Sequence, residues 1–180
     1  MTKILLISED YIKTNSGLND NVWGNYLTPA IREAQDIKLQ QILGTSLYES
    51  LLEKVKNGAI RNEKFRQYKN LLDDFVQPYL MYQTISDLVP IIGVKLTNLG
   101  VVVSNDEHLT NLTQGERELV QTYYGQRAEF YGKRLQGFLK DNHSDFEELG
   151  ECNHNQLDPT LNTIADTGIW LGGYRGRKLL

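Results

Sequence analysis

The stretch LTPAIREAQDIKLQQILGTSLYESLLEKV, Leu27 to Val55, decides the fold class. Thr28 stands before Pro29, and proline suits the first helical position because its missing N–H would have no intrahelical partner there. The pair predicts a helix start with Thr28 as N-cap. Leu27, Ala30, Ile31, Ala34, Ile37, Gln41 and Ile42 follow with helical periodicity, one apolar stripe interrupted by a glutamine. Gly44 is placed to stop that helix in a left-handed conformation that a Cβ disfavours. Ser46 and Glu49 then have the spacing of a capping box, opening a second helix with the stripe Leu47, Tyr48, Leu51, Leu52 and Val55. Two short amphipathic helices joined at a glycine need further layers to cover their apolar faces.

The rest of the chain supplies them. From Asn62 to Leu88, the residues Phe65, Tyr68, Leu72, Phe75, Tyr79, Tyr82 and Ile85 keep helical spacing past Pro78, which predicts one kinked helix or two abutting ones. Thr113 and Glu116 form a second capping-box pattern, opening a long helix to about Asn142. Its periodic face is Leu119, Val120, Tyr123, Tyr124, Arg127, Ala128, Tyr131, Leu135, Phe138 and Leu139. Gly125, Gly132 and Gly137 each weaken it by roughly 1 kcal/mol relative to alanine, or mark where another helix comes close. Between these segments PIIGVKLTNLGVVVSND reads as a hairpin over 93–104.

Both ends have a different texture. KILLIS predicts an extended arm or edge strand over Ile4–Ile7, followed by a turn-rich loop anchored by Trp23, Tyr26 and Leu27. Beyond Asp141 the chain turns polar and acidic with little to bury. It then reads GIWLGGYRGRKLL, an arm that orders against its own body or a partner. The expected fold is mainly α: a bundle of four to five helices with a short β-hairpin and extended N- and C-terminal arms. Residues 1–142 form the helical domain with its arm, and 143–180 a polar linker and docking arm.

At 180 residues one core is expected, and 40% apolar with 23% charged residues is ordinary globular composition. The net charge of −4 argues against a protein whose work is gripping nucleic acid through phosphates. The single cysteine, Cys152, excludes an internal disulfide framework. No apolar run approaches the roughly 18–20 residues of a membrane helix. MTKILLIS lacks the length and cleavage site of a secretory signal, so folding in a cytoplasm is expected.

Residues able to do chemistry are sparse. Cys152 and His154 with His143 fall short of the four ligands of a structural zinc site, and a C-x-H pair on a polar tail offers neither rigid support nor an oxyanion hole. Nucleophile-elbow, zincin, Walker and dinucleotide patterns are absent. Asp73 and Asp74 are adjacent on a helix and point about 100° apart, as surface charges do. Asp145, Glu147, Glu148 and Glu151 form an acidic cluster, read as a solvated loop or an acidic wall. Tyr174, Arg175, Arg177 and Lys178 have a basic and aromatic mix, but Ile169, Trp170 and Leu171 beside them favour docking to protein. No catalytic, cofactor-binding or metal-ligating residue is expected.

ISEDYIKTN (7–15), NDNV (19–22) and LTPAIREAQDIKLQQILGTSLYESLLE (27–53) together resemble a family of tailed-phage head-to-tail connector, or head completion, proteins found in Bacteroides and crAss-like phages. The later helices and GIWLGG are compatible with it. The resemblance implies a virion subunit, made in the host cytoplasm, that forms a dodecameric ring at the head–tail junction. Such a ring sits beneath the portal protein, extends the DNA channel, receives the tail or further ring proteins, and carries no catalytic residue.

A ring requires one face of a subunit to meet a different face of its neighbour. Ile4, Leu5, Leu6, Ile7, Ile169, Trp170, Leu171, Tyr174, Arg175 and Arg177 are therefore expected at contacts with a neighbour or the portal. Asp145, Glu147 and Glu148 are the channel-facing candidates, since carboxylates do not hold passing double-stranded DNA. The alternatives are a helical adaptor that binds a protein partner without forming a ring, and an enzyme on an unfamiliar helical scaffold.

Overall fold

The computed structural model describes residues 4–16, 24–92, 94–97, 100–103, 113–150 and 157–160, and the chain is mainly helical. Ser8 opens α1 (Glu9–Asn15) by accepting the Tyr11 N–H at 3.1 Å. The next helical rod combines α2 (Gly24–Glu33), a π-helical segment (Ala34–Leu39) and α3 (Gln40–Leu43). Thr28 is not its N-cap. The helix starts at Gly24 and takes Pro29 inside it, while the Thr28 hydroxyl is turned outward to bond the Glu9 carboxylate, tying α1 to α2.

The π segment shifts the stripe. Ala34 and Leu39 are both fully enclosed at a spacing of five, which matches the i→i+5 bonding of a π turn, as in Gln40 N–H to Gln35 C=O. Downstream of that widened turn Leu39, Ile42 and Leu43 face inward, and Ile37 and Gln41 face solvent. Gly44 ends the rod at φ 75°, ψ 162°, and α4 (Thr45–Lys56) starts at the next residue. The Ser46–Glu49 capping box does not form at the N-cap, which is Gly44. Leu47, Tyr48 and Leu51 point to the core.

Two 3-10 turns (Ala59–Arg61 and Glu63–Phe65) lead to a second rod: α5 (Arg66–Asn70), a π segment (Leu71–Val76) and α6 (Gln77–Leu88). Pro78 lies in the first turn of α6, and the π turn just ahead of it absorbs the bond that proline cannot donate, so the rod continues. Leu71 and Val76 repeat the enclosed five-residue spacing. The backbones of Val94–Thr97 (β1) and Gly100–Val103 (β2) then pair antiparallel, Val94 opposite Val103, and they make up the entire sheet among the described residues.

The long helix α7 (Gln114–Asp141) is opened by the capping box expected of Thr113 and Glu116. Glu116 N–H donates to Thr113 Oγ1 at 3.3 Å, and the Glu116 carboxylate accepts from Thr113 N–H at 2.8 Å. Its Ala128, Gly132, Leu135 and Leu139 are buried against α6, which packs on α2 as well. Aromatic pairs lock α7 to the second rod, Phe75 of the π segment stacking on Phe138 at 4.1 Å and Tyr82 of α6 on Tyr131 at 5.2 Å. Helices α6 and α7 meet closely at Gly132, where a Cβ would stand 3.2 Å from the Tyr79 ring, and at Gly125, 3.3 Å from Ser86 Oγ. Gly137 has open space and marks no approach.

The segment after α7 does not behave as a linker. Phe146 and Leu149 are buried, with Phe146 meeting Tyr68 edge-on at 5.2 Å, and short 3-10 turns (His143–Asp145 and Glu147–Gly150) carry them there. Full burial of such side chains contributes about 1.5–3 kcal/mol each, enough to hold the segment on the bundle.

Candidate functional site

Four features of the surface bear on function, and the first is the N-terminal segment. Leu6 and Ile7 are enclosed in the subunit's own core, and residues 4–8 form no strand. The buried amide of Gln35, four residues after Ile31 on the inward face of the rod, clasps the segment. Its Oε1 accepts the Leu6 N–H at 2.9 Å, and its Nε2 donates to the Ile4 carbonyl and to Tyr48 Oη, both at 3.0 Å. Gln77 Nε2 donates to the Leu6 carbonyl at 3.3 Å. Tyr48 Oη in turn donates a hydrogen bond to Asp36 Oδ1 at 2.7 Å, and burial with that bond pushes its phenol well above the usual tyrosine value. This corrects the interface reading of Leu6 and Ile7, whose apolar surface is already covered; Ile4 and Leu5 are half-buried and keep some for a neighbour.

The second feature is the corner at Gly44, over which Leu157–Thr160 lies as a strap. Thr45 N–H donates to the Leu157 carbonyl at 2.9 Å, and Thr160 N–H donates to the Gln41 carbonyl at 3.0 Å. One strap thus satisfies an orphan donor at the start of α4 and an orphan acceptor at the end of α3. Leu157 N–H also donates to Thr45 Oγ1 at 3.1 Å, and Gln40 Nε2 reaches the same oxygen at 3.1 Å. The sequence signal for this strap was the isolated Leu-Asp-Pro in an otherwise polar stretch.

Beside the strap, Glu148 is held by Tyr68, whose hydroxyl donates to Oε2 at 2.7 Å, by the Ser50 hydroxyl, and by the Lys54 ammonium at 3.3 Å. Lys54 also lies 4.1 Å over the Tyr68 ring. Burial works against the charge on Glu148, yet the Ser50 and Tyr68 hydroxyls and Lys54 hold its carboxyl below the usual range. The same burial and bond push the Tyr68 phenol up. Glu148 is therefore an internal latch and not a channel-facing carboxylate, whereas Asp145 and Glu147 are exposed.

Ser50 beside Lys54 has the residue types of a nucleophile and base, but the lysine is paired as an ammonium with Glu148, so it has no lone pair to accept the serine proton. The adjoining cavity, lined by Gly44, Ser46, Glu148, Leu157 and Pro159, holds about 10 Å³, too little for a substrate.

The third feature was missed by a reading that assigned α7 a single apolar face. Leu119, Tyr123 and Phe130 are 71%, 51% and 63% exposed. At 3.6 residues per turn they fall within about 40° of one another, on the side opposite Ala128, Leu135 and Leu139. Arg127 covers part of this stripe, its guanidinium 3.4 Å from the Tyr123 ring centre. Further apolar exposure lies at Ile37 and Ile91, around a groove of about 340 Å³ that Gln121 of α7 also lines. Leu119 and Tyr123 thus leave the core-facing set expected of α7.

The fourth feature is an open groove of about 1320 Å³ between the N-terminal segment, the first π segment and α4. Ile4, Tyr48, Leu52 and Val55 give it apolar surface, and Asp36, Glu49, Glu53 and Lys56 its charged rim.

Among the described residues, no three His, Cys, Asp or Glu side chains come together as a metal site, and no helix is long and apolar enough to cross a membrane. Asp73 and Asp74 are solvated. Ile169, Trp170, Leu171, Tyr174, Arg175 and Arg177, like Cys152, His154, Glu151 and Trp23, lie outside the described residues. No curated protein and no solved structure matches the chain. A family model does match residues 39–158, from the end of the first π segment through the Gly44 corner and α7 to the strap. The chain belongs to that family, described as a family of unknown function (DUF6712).

Proposed function

We propose that the protein is a structural virion subunit, one copy of a connector ring that joins the portal to the tail and extends the DNA channel. The observation that carries the reading is the two-faced α7. Its inner face completes the bundle, while Leu119, Tyr123 and Phe130 leave a second apolar stripe in water on a helix about 42 Å long. Covering those side chains is worth about 1.5–3 kcal/mol each, which a neighbouring subunit can supply.

The resemblance of residues 7–53 to head-to-tail connector proteins gives the stripe its setting. The hairpin over 93–104, Ile4 and Leu5, and the segment 168–180 with Ile169, Trp170, Leu171, Tyr174, Arg175 and Arg177 are the other elements proposed at neighbour or portal contacts. Asp145 and Glu147 are the carboxylates left for a channel lining.

The test is the mass and image of the protein mixed with portal. A closed ring of many copies between portal and tail supports the proposal. A one-to-one complex, or Leu119→Asp and Phe130→Asp variants that assemble as well as the parent chain, would overturn it. The one-to-one result would favour the adaptor reading, since the same stripe serves a single partner.

A further inference from the structure

The open groove of about 1320 Å³ is used by neither the fold nor the ring proposal. Its apolar surface comes from Ile4, Tyr48, Leu52 and Val55, and its rim carries Asp36, Glu49 and Glu53 against the single cation Lys56. Asp36 is engaged by Tyr48, whereas Glu49 and Glu53 stand exposed on α4. An occupant of this groove needs large apolar side chains followed by positive charge. The chain itself has one such stretch. In GIWLGGYRGRKLL, Ile169, Trp170 and Leu171 precede Arg175, Arg177 and Lys178, and Gly172, Gly173 and Gly176 let the backbone lie close to a surface.

The strap delivers that stretch to the place. Thr160, its last described residue, bonds the carbonyl of Gln41, and the neighbouring Gln40 lines the groove. The nine residues from Thr160 to Ile169 reach up to about 30 Å. The groove runs along α4, which is only about 18 Å long. We propose that the groove is the docking site of the chain's own segment 168–180 in the free subunit, with Ile169, Trp170 and Leu171 on the apolar floor and Arg175 and Arg177 on the acidic rim. This concerns the unassembled subunit and stands whether or not a ring forms. In a ring, the segment has to leave its own groove before it can bind a neighbour or portal, which restrains premature association.

Trp23 and Trp170 are the two tryptophans, so the full chain carrying Trp23→Phe reports on Trp170 alone. Docking is read as a blue-shifted emission and loss of acrylamide quenching, relative to a synthetic 168–180 peptide, at every protein concentration. Glu49→Lys combined with Glu53→Lys should restore quenching, and so should high salt in part. The proposal is overturned if Trp170 is quenched like the peptide, if protection survives the paired substitutions, or if protection grows with concentration, which would place the segment on a second copy.

Should Trp23→Phe not fold, a Cys152→Ser chain with Trp23 intact and Glu53→Cys plus Gly172→Cys should close a disulfide within the monomer. The pair Phe130→Cys plus Gly172→Cys, on the far stripe, serves as control, and equal closure in the two pairs refutes docking in the groove. Ring formation is scored separately by mass with portal, so either reading can fail alone.

Discussion

Replacing Gly44 by alanine tests whether the corner is built as described. Two independent penalties meet at this residue. Its φ of 75° with ψ of 162° is a conformation that essentially only glycine adopts, and forcing a Cβ there costs about 1–3 kcal/mol. The new methyl would also stand 2.8 Å from Pro159 Cδ, 2.9 Å from Pro159 N and 3.1 Å from the Leu157 carbonyl oxygen, so the strap must lift. Lifting it loses the bonds Thr45 N–H to Leu157 C=O and Thr160 N–H to Gln41 C=O, worth roughly 1 kcal/mol each. The sum is about 3–5 kcal/mol, a large share of the ~5–15 kcal/mol that stabilises an ordinary domain. Urea unfolding of the full chain gives the loss, and amide exchange at Thr45 and Thr160 shows whether the strap has left. A change under about 0.5 kcal/mol, within the range of a neutral surface substitution, would refute the corner geometry. A large loss with both amides still protected would assign the whole effect to backbone strain.

Gln35→Leu keeps the bulk but strands the Leu6 N–H and the Ile4 carbonyl; a loss of about 2–4 kcal/mol is expected, with faster exchange of the Leu6 amide. Thr84→Val should raise the unfolding free energy by about 1 kcal/mol, read as a higher urea midpoint, because Thr84 Oγ1 is fully buried with no partner among the described residues; destabilisation would show that the hydroxyl is engaged. For Glu148 the folded carboxyl titrates below its ordinary value. Its contribution is therefore complete above the usual glutamate range and is lost as pH falls through the lowered value. Tyr68→Phe should accordingly cost about 1–2 kcal/mol at neutral pH and much less in acid; an equal loss at both would mean that packing and not the hydrogen bond is at work.

Local periodicity made much of this architecture legible. The Gly44 stop, the Thr113–Glu116 box and the inward face of the first rod as far as Ala34 follow from rules that span one or two turns, whereas Ile37 and Gln41, expected on that face, stand in solvent. What escaped depends on contacts across the chain. Ser46 and Glu49 match a capping box, but Leu157, more than a hundred residues away, already satisfies the first donor of α4, and the helix starts at Thr45 instead. Glu148 reads as one more charge in an acidic run until Phe146 and Leu149, an apolar pair three apart, are seen to carry it onto Ser50, Lys54 and Tyr68. That i, i+3 pair was the available signal. The second face of α7 was visible as well, since Phe130 lies at helical register with Leu119 and Tyr123, but assigning all large apolar residues to one core hid it.

The π turns explain why proline misled the reading while the fold kept its rods. A regular helix with apolar residues at 34 and 37 would expose 39, yet Leu39 is enclosed and Ile37 is out. The extra residue in the turn rotates everything after it, whereas Gln35, the side chain that ties down residues 4–6, is buried in regular i+4 register with Leu27 and Ile31. In the second rod the π turn precedes Pro78 and buries Leu71 and Val76 together. Each insertion thus sets the angle at which one half of a rod meets its neighbours without breaking it. Filling the cores with larger side chains would leave that angle unchanged. Winding Ala34–Leu39 as regular α-helix with no residue removed would turn Leu39, Ile42 and Leu43 out of the core, whereas deleting one of Asp36, Ile37 and Lys38 would put them four, seven and eight residues after Ala34 and keep them inward. Such a deletion should therefore still fold cooperatively, and a deleted chain that fails to fold would refute the reading of the π turn as a single inserted residue.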